Sequence, residues 1–327
     1  MKLRSLLRAI ACLPLGLGLA TALPTRAENY PDRTIRMIVP YTPGGSIDTV
    51  GRLVAEQLQR LLGQPIVIEN TPGASGLLGS LAVKKAKPDG YTLLFNASSQ
   101  TYLPLVVKKP TYDAQRDFTP VGQIGYVPLI VAVHKDVPAR TMKDFVALAR
   151  QNPDKYTWAT SGLGTTSHLS EEMVNRALGL KMEIVAYKGA VPQLTDVAGG
   201  HVSAAISPMP GVMPFVQGGH LRPLAVTSKA RVASMPDVPT LAESGMPGFE
   251  LLSWYGIWAP AGLPPAIANK LNAAIGQAVQ TPALKSRFDE LSFVPTRSTP
   301  EEFRRLIEGD IAKIGKAVRD ANIQIDF

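Results

Sequence analysis

Short apolar runs and amphipathic stretches alternate along this 327-residue chain, and the alternation restricts its fold more than any other feature of the sequence. A buried strand is predicted at residues 35–39, a helix at 47–61, and further strands at 66–68 and 91–95. Strands that alternate with helices indicate parallel pairing, because each helix returns the chain to begin the next strand alongside. The sequence therefore predicts an α/β fold.

The same alternation begins again near residue 129, after a stretch without a clear period. Strands are predicted at 129–133, 157–160, 183–186, 203–206 and 224–227, with helices between them and two closing helices at 265–279 and 300–320. Two such sets in one chain predict two lobes with a ligand cleft between them. We expect lobe one to comprise residues 28–127 and 226–327, and lobe two to comprise residues 128–225.

The first 27 residues have the features of an export signal. A basic stretch over residues 1–8 precedes an uncharged apolar run over 9–23, and Thr25 and Ala27 place small residues before a cleavage point at Glu28. The apolar run is too short to favour a membrane anchor, and Arg8 lies too close to Cys12 for lipoprotein processing. We expect residues 1–27 to be a signal peptide and the mature protein to be periplasmic.

Composition excludes several classes of function for the mature chain. The leader holds four of the 34 basic residues and no acid, so the formal charge falls from +8 to +4 without it, and no nucleic-acid partner is expected. The single cysteine, Cys12, also lies in the leader, which excludes disulfides and thiol catalysis. The four histidines are far apart in sequence, so we expect neither a metal nor a cofactor.

Two loops rich in Gly, Ser and Thr each follow a predicted strand and open a helix. Residues 41–46 lie in lobe one, and residues 161–167 lie in lobe two. Glycine lets the backbone approach a ligand closely, and free amides at a helix start bind anions. Ordinary capped turns have a similar composition, but one such loop in each lobe favours a ligand site. His168, beside the second loop, could donate to a ligand or support the loop.

Recognisable catalytic motifs are absent from the sequence. There is no Gly-x-Ser-x-Gly, Ser167 replaces the third glycine of a dinucleotide fingerprint, and Gly315-Lys316-Ala317 lacks the features of a phosphate loop. A non-catalytic binding protein is therefore the leading hypothesis. A secreted hydrolase that uses Ser46, Ser161 or Ser167 with His168 is the alternative, and a sensor for a signalling partner is a third.

An ordered series of motifs resembles the Bug-type periplasmic receptors of tripartite tricarboxylate transporters. The series runs from Tyr30-Pro31-Asp32-Arg33 through Ile38 to Gly45 with Asp48, Glu69 to Ala74, Pro88 to Leu94, Ser161 to Leu169, Tyr187-Lys188-Gly189, Trp254-Tyr255-Gly256 and Ala259 to Gly262. The resemblance covers the whole mature chain. It implies a two-lobe type II periplasmic-binding-protein fold, capture of a small carboxylate between the lobes, and delivery to a membrane permease by a monomeric receptor.

The resemblance and the two loops together predict the ligand-binding residues. These are Tyr41, Thr42, Gly44, Gly45, Ser46, Asp48, Ser98, Ser161, Gly164, Thr165, Thr166, His168, Tyr187, Lys188 and Ser207. Many members of the family carry an acidic residue near position 207, where it pairs with the ammonium group of an amino acid. Ser207 cannot supply that charge, which disfavours amino-acid ligands.

Overall fold

The structure, a computed structural model, describes residues 29–326, so the predicted signal peptide and Cys12 lie outside the described residues. The strands are β1 (Ile35–Val39), β2 (Ile66–Asn70), β3 (Thr92–Ala97), β4 (Phe118–His134), β5 (Thr157–Thr160), β6 (Glu183–Ala186), β7 (Ala204–Pro208), β8 (Leu221–Val226), β9 (Leu252–Pro260) and β10 (Val294–Pro295). The helices are α1 (Ser46–Leu62), α2 (Leu77–Lys84), α3 (Ser99–Val106), α4 (Met142–Gln151), α5 (Thr166–Ala177), α6 (Ala190–Ala198), α7 (Met209–Gln217), α8 (Pro265–Ala278), α9 (Pro282–Glu290) and α10 (Pro300–Asp320).

Strand pairing confirms the α/β prediction and shows how the two sets of elements connect. The strands follow the order β2-β1-β3-β9-β4-β7-β5-β6, with β8 and β10 also paired to β4. β1 pairs in parallel with β2 and β3, and β5 pairs in parallel with β6 and β7. β9 and β4 are antiparallel to their neighbours, so the sheet is mixed.

The long strand β4 takes part in both sets. Its first part, Phe118 to Pro128, pairs with β9, and its second part, from Leu129 onward, pairs with β7 and β8. Hydrogen bonding therefore continues through β4 from one set to the other. The change of partner between Pro128 and Leu129 supports the predicted lobe boundary at that point, which we propose as the first crossing between lobes.

The apolar cores follow from the two-residue period of β4. Leu129, Val131 and Val133 lie in one buried cluster with Trp158, whereas Ile130 and Ala132 lie in a second cluster on the opposite face. A third cluster, built around Trp254, Trp258 and Phe303, packs α3 and α10 against β9. The second half of β4 is thus buried on both faces, which explains its continuous apolar sequence.

Packing of the segment after β8 bears on the second lobe boundary. Val232, Met235 and Val238 pack against the cluster of Ile130, and residues Leu241 and Met246 belong to the cluster of Trp158. These contacts lie with the predicted lobe two, although the sequence places residues 226 onward in lobe one. We propose that the second crossing lies later, near Leu251, which packs in the third cluster.

Sequence periodicity finds most elements and misses those without a clear period. The strands at 35–39, 157–160 and 183–186 and the helix at 300–320 have the bounds that the sequence predicts. The first part of β4, the strand β9 and the helices α3 and α7 are not predicted. Pro104 lies inside α3, Pro214 lies inside α7, and three glycines, Gly122, Gly125 and Gly256, occupy the two strands, so local propensity argues against all of them.

The helices of residues 29–326 are all too short or too polar to cross a bilayer.

Close approach of α10 to β9 requires glycine at position 256. A Cβ added to Gly256 would overlap the ring of Phe303, which is fully buried against Trp254 and Trp258. We expect Gly256→Ala to lower the free energy of unfolding by about 1–3 kcal/mol through overpacking. Gly309→Ala, on an exposed and open position of α10, should instead raise it by about 0.5–1 kcal/mol, because alanine favours helix.

Denaturant unfolding of both variants checks this prediction. Equal stability changes of the same sign in the two variants would contradict it.

Candidate functional site

A cavity of about 510 Å³, counted to its mouth, lies where the C-terminal ends of five strands meet the helices that follow them. We call it the inner cavity. The junctions are β1–α1, β3–α3, β5–α5, β6–α6 and β7–α7, and β9 closes one wall. Its lining residues are Tyr41, Thr42, Gly45, Ser46, Ile47, Asp48, Ala97, Ser99, Ser161, Thr165, Thr166, Ser167, Ala190, Pro208, Ser253 and Tyr255.

Helix starts provide the electrostatic character of the inner cavity. The N-cap residues Gly45 of α1, Gly189 of α6 and Pro208 of α7 make no side-chain capping bond. Backbone amides in the first turn of a helix have no partner within the helix and carry partial positive charge. Asp48 is the only charged residue in the lining, so the cavity favours an anion through dipoles and not through a basic side chain.

Thr42 presents an unused hydroxyl to the inner cavity. Its Oγ1 is buried and makes no hydrogen bond, and a Cβ at Gly189 would lie only 2.5 Å from it. A buried hydroxyl without a partner costs free energy, which a bound acceptor recovers. The absence of a side chain at Gly189 leaves this hydroxyl its place between the two loops.

Asp48 holds the loop between β1 and α1. Its carboxylate accepts hydrogen bonds from the Gly44 amide at 2.9 Å, from Arg52 Nε and Nη2 at 3.0 and 2.9 Å, and from Asn70 Nδ2 at 2.9 Å. Asn70 also donates to the Tyr41 carbonyl at 3.0 Å. Burial alone would raise the pKa of Asp48, but these donors outweigh it and lower the pKa below its ordinary value. Asp48 therefore shapes the loop and already has its own partners.

Hydroxyl groups join the loops across the cleft. Ser98 Oγ lies 2.9 Å from Thr166 Oγ1, and both side chains are buried. The Tyr41 hydroxyl lies 3.0 Å from Ser99 Oγ and donates to the Ser75 carbonyl at 3.2 Å. Burial raises the pKa of Tyr41 to about 12, so its hydroxyl remains a donor at neutral pH. The loops of the two strand sets are thus in direct hydrogen-bond contact.

His168 supports a loop and does not line the inner cavity. Its Nδ1 accepts from the Gly164 amide at 3.3 Å, and its Nε2 lies 3.8 Å from a carboxylate oxygen of Glu172. Burial lowers the pKa of His168 to about 4, so the imidazole is neutral at pH 7. Among the residues that the structure describes, no serine hydroxyl bonds to His168, and no cluster of His, Cys, Asp and Glu could hold a metal ion.

The predicted ligand-binding residues divide into two groups by position. Eight line the inner cavity: Tyr41, Thr42, Gly45, Ser46, Asp48, Ser161, Thr165 and Thr166. Gly44, Ser98, Gly164 and His168 lie behind these loops and bond to them. Ser207 is buried and donates to Gln193 Oε1 at 3.4 Å. Tyr187 and Lys188 line a second cavity, described below, that shares Tyr41 and Ser161 with the first.

Several lining residues were missed from the sequence. Ala190, Pro208 and Ser99 directly follow predicted residues or motifs, so the strand-to-helix junctions could have pointed to them. Tyr255 belongs to the Trp254-Tyr255-Gly256 motif, and its hydroxyl lies 2.7 Å from Ser46 Oγ. Ser253 has no local signal, because only the antiparallel pairing of β9 brings it to the cavity.

Glu171 is a buried carboxyl group one helical turn below Ser167. Its Oε1 accepts from the Ile206 amide at 3.2 Å, whereas Oε2 makes no hydrogen bond of good geometry. Burial raises the pKa of Glu171 well above its ordinary value, although the Ile206 amide and the Thr160 hydroxyl favour the charged form. The side chain is therefore a neutral acid that braces the ends of β5 and β7.

Protonation of Glu171 gives the folded protein a pH dependence. The folded state holds this proton more tightly than the unfolded chain, in which a glutamate ionises near pH ~4.3. The contribution to stability is therefore complete below that pH and is lost as the pH rises toward the folded-state pKa. We expect Glu171→Gln to raise the melting temperature relative to the parent at about pH 7.5, with a smaller difference at about pH 4.

Thermal melts of the two proteins across this range check the prediction, with the exposed Glu183→Gln as a control. A loss of stability in Glu171→Gln that is the same at both pH values would contradict it.

Comparison with known proteins places this geometry in a family. Residues 50–323 match the family model described as tripartite tricarboxylate transporter family receptor. Protein BugT of Bordetella pertussis is 36% identical over 317 residues, which cover 95% of this chain and 97% of BugT.

Two solved structures share the whole fold. The periplasmic binding protein BugD superposes with a TM-score of 0.88 at 31% identity and covers 91% of this chain and 100% of its own. Rpa4515 of R. palustris, solved with adipate, gives a TM-score of 0.88 at 34% identity with the same coverage. These matches confirm the predicted two-lobe periplasmic-binding fold and a binding role without catalysis. The chain belongs to the receptor family of the tripartite tricarboxylate transporters.

Proposed function

We propose that this receptor binds a small carboxylate in the inner cavity and delivers it to the membrane permease of a tripartite tricarboxylate transporter. The observation that carries the proposal is the convergence of helix starts on a cavity that contains no basic side chain. The structural relative Rpa4515 was solved with adipate, a carboxylate, which supports the same class of ligand.

The lining matches the two parts of an organic acid. A carboxylate loses its hydration on binding and needs several donors in return, which the amides near Gly45 and the hydroxyls of Thr42 and Thr166 can supply. Ordered water can complete the set. Ile47, Ala97 and Pro208 offer apolar surface to the carbon skeleton. In this proposal Asp48, Gly44, Ser98, Gly164 and His168 position the loops, and the lining residues contact the ligand.

Delivery follows from donors on both sides of the cleft. A ligand that bonds to the loops after β1 and β5 together binds the closed form better than the open form. Closure is then the state that a permease recognises. The proposal includes export by residues 1–27, periplasmic location and action as a monomer.

Amino acids are poor candidates for the ligand. An ammonium group needs a free carboxylate, and Asp48, the only acid in the lining, already accepts from Arg52, Gly44 and Asn70. Ser207 faces Gln193 and carries no charge. We therefore expect acids without an amino group to bind more tightly than their amino derivatives.

A screen of the mature protein against a panel of carboxylic acids tests the proposal. Binding to the native state should raise the melting temperature by mass action. Calorimetry should then give one site per chain, and mass spectrometry of the recovered acid should show it unaltered. If no acid in the panel binds, or if the bound acid is converted, the proposal is wrong.

Thr42→Val provides a sharper test of the inner cavity. The change removes a hydroxyl that has no partner in the protein, so we expect the unliganded protein to be as stable as the parent or slightly more stable. Affinity for the acid should fall by about 0.5–1.5 kcal/mol, because the ligand loses a donor.

Calorimetry and thermal melts of the same preparation separate the two effects. Thr195→Val, at an exposed position of α6, is the control. Unchanged affinity in Thr42→Val would remove Thr42 from the site.

A further inference from the structure

A second cavity of about 650 Å³ opens beside the inner cavity and shares Tyr41 and Ser161 with it. We call it the outer cavity. Its walls come from the loop after β2 (residues 72–76), the turn after β5 (161–163) and the segment 186–189 before α6. Because the two cavities share lining residues, a ligand held in the inner cavity can extend into the outer one.

The two cavities carry opposite charge. Lys188 is the only charged residue that lines the outer cavity, whereas Asp48 is the only one that lines the inner cavity. Lys188 is exposed and makes no ion pair with any carboxylate of residues 29–326. The neighbouring Tyr187 hydroxyl donates to Asp196 at 2.8 Å, so that carboxylate is engaged with the tyrosine.

A second carboxylate on the ligand would fare very differently in the two places. Inside the inner cavity it would share the helix-start donors with the first carboxylate and lie near Asp48, with no cation in the lining to compensate it. In the outer cavity it would meet an unpaired ammonium group and remain partly hydrated. Only the outer position avoids an uncompensated buried charge.

We infer that the outer cavity is the subsite for a distal anionic group, and that the ligand is an elongated acid with an anionic group at each end. This inference rests on the proposed function, because it assumes that the first carboxylate lies in the inner cavity. Lys188 then selects for ligand length, since a short diacid cannot reach from the loop of Gly45 to the ammonium group.

Contacts between the lobes enclose the outer cavity. A Cβ at Gly162 would lie 2.9 Å from Ser75 Oγ, so the loop after β2 touches the turn after β5. Gly162 also has a φ of 154°, which favours glycine. A ligand that spans both cavities therefore contacts both lobes at two separate points.

The experiment compares linear acids that differ only at the distal end. The probes are adipate and hexanoate, with succinate and glutarate as shorter diacids, measured by calorimetry against the mature protein. The variants are Lys188→Met, which keeps the apolar stem, and Lys188→Arg, which keeps the charge. Lys181→Met removes an exposed lysine that lines neither cavity and is the matched control.

We expect adipate to bind more tightly than hexanoate and the shorter diacids. Lys188→Met should weaken adipate by roughly 5-fold or more and leave hexanoate unchanged, while Lys188→Arg and Lys181→Met keep adipate binding. The adipate preference should also shrink as salt is added.

Two other results are distinguishable. If hexanoate binds as tightly as adipate and Lys188→Met changes neither, the subsite is wrong while the carboxylate receptor stands. If no acid binds to the parent protein, the proposed function fails and the subsite fails with it.

Discussion

Strand β4 is the element on which the arrangement of the molecule depends. Its seventeen residues pair first with β9 and then with β7 and β8, so a single strand belongs to both halves of the sheet. Because a strand is stiff and fully hydrogen-bonded on its way through, it brings the C-terminal ends of β1 and β3 close to those of β5, β6 and β7. The inner cavity exists only because these five ends converge.

Convergence of helix starts explains how an anion can be favoured without a basic side chain. A buried lysine or arginine would itself have to be desolvated in the unliganded protein, at a cost of several kcal/mol per ion. Backbone amides at a helix start carry no net charge, so the empty cavity is less costly to maintain. The side chains around the cavity complete this arrangement, since Asp48 ties its loop and the hydroxyls of Ser98 and Thr166 join the two sides.

Two titratable groups behind the cavity are held in their neutral forms. Burial lowers the pKa of His168 to about 4 and raises the pKa of Glu171 well above its ordinary value. The neutral imidazole accepts from the Gly164 amide, and the neutral acid accepts from the Ile206 amide. Both groups therefore fix backbone near the cavity without adding a charge that would compete with the ligand. The only lysine that lines either cavity, Lys188, lies in the outer one, where water remains accessible.

Much of this protein is determined by its sequence alone. The period of apolar residues specifies most strands and helices, and the Gly, Ser and Thr of residues 41–46 and 161–167 identify two loops of the cavity, because strand ends and helix starts have local signatures. Long-range pairing decided the rest. Ser253 and Tyr255 reach the cavity through the antiparallel partners of β9, and Lys188 is separated from the inner cavity by packing of loops from distant parts of the chain. Tertiary structure also assigned His168 and Ser207 to the support of the site, because burial and hydrogen-bond partners depend on neighbours that no local pattern records.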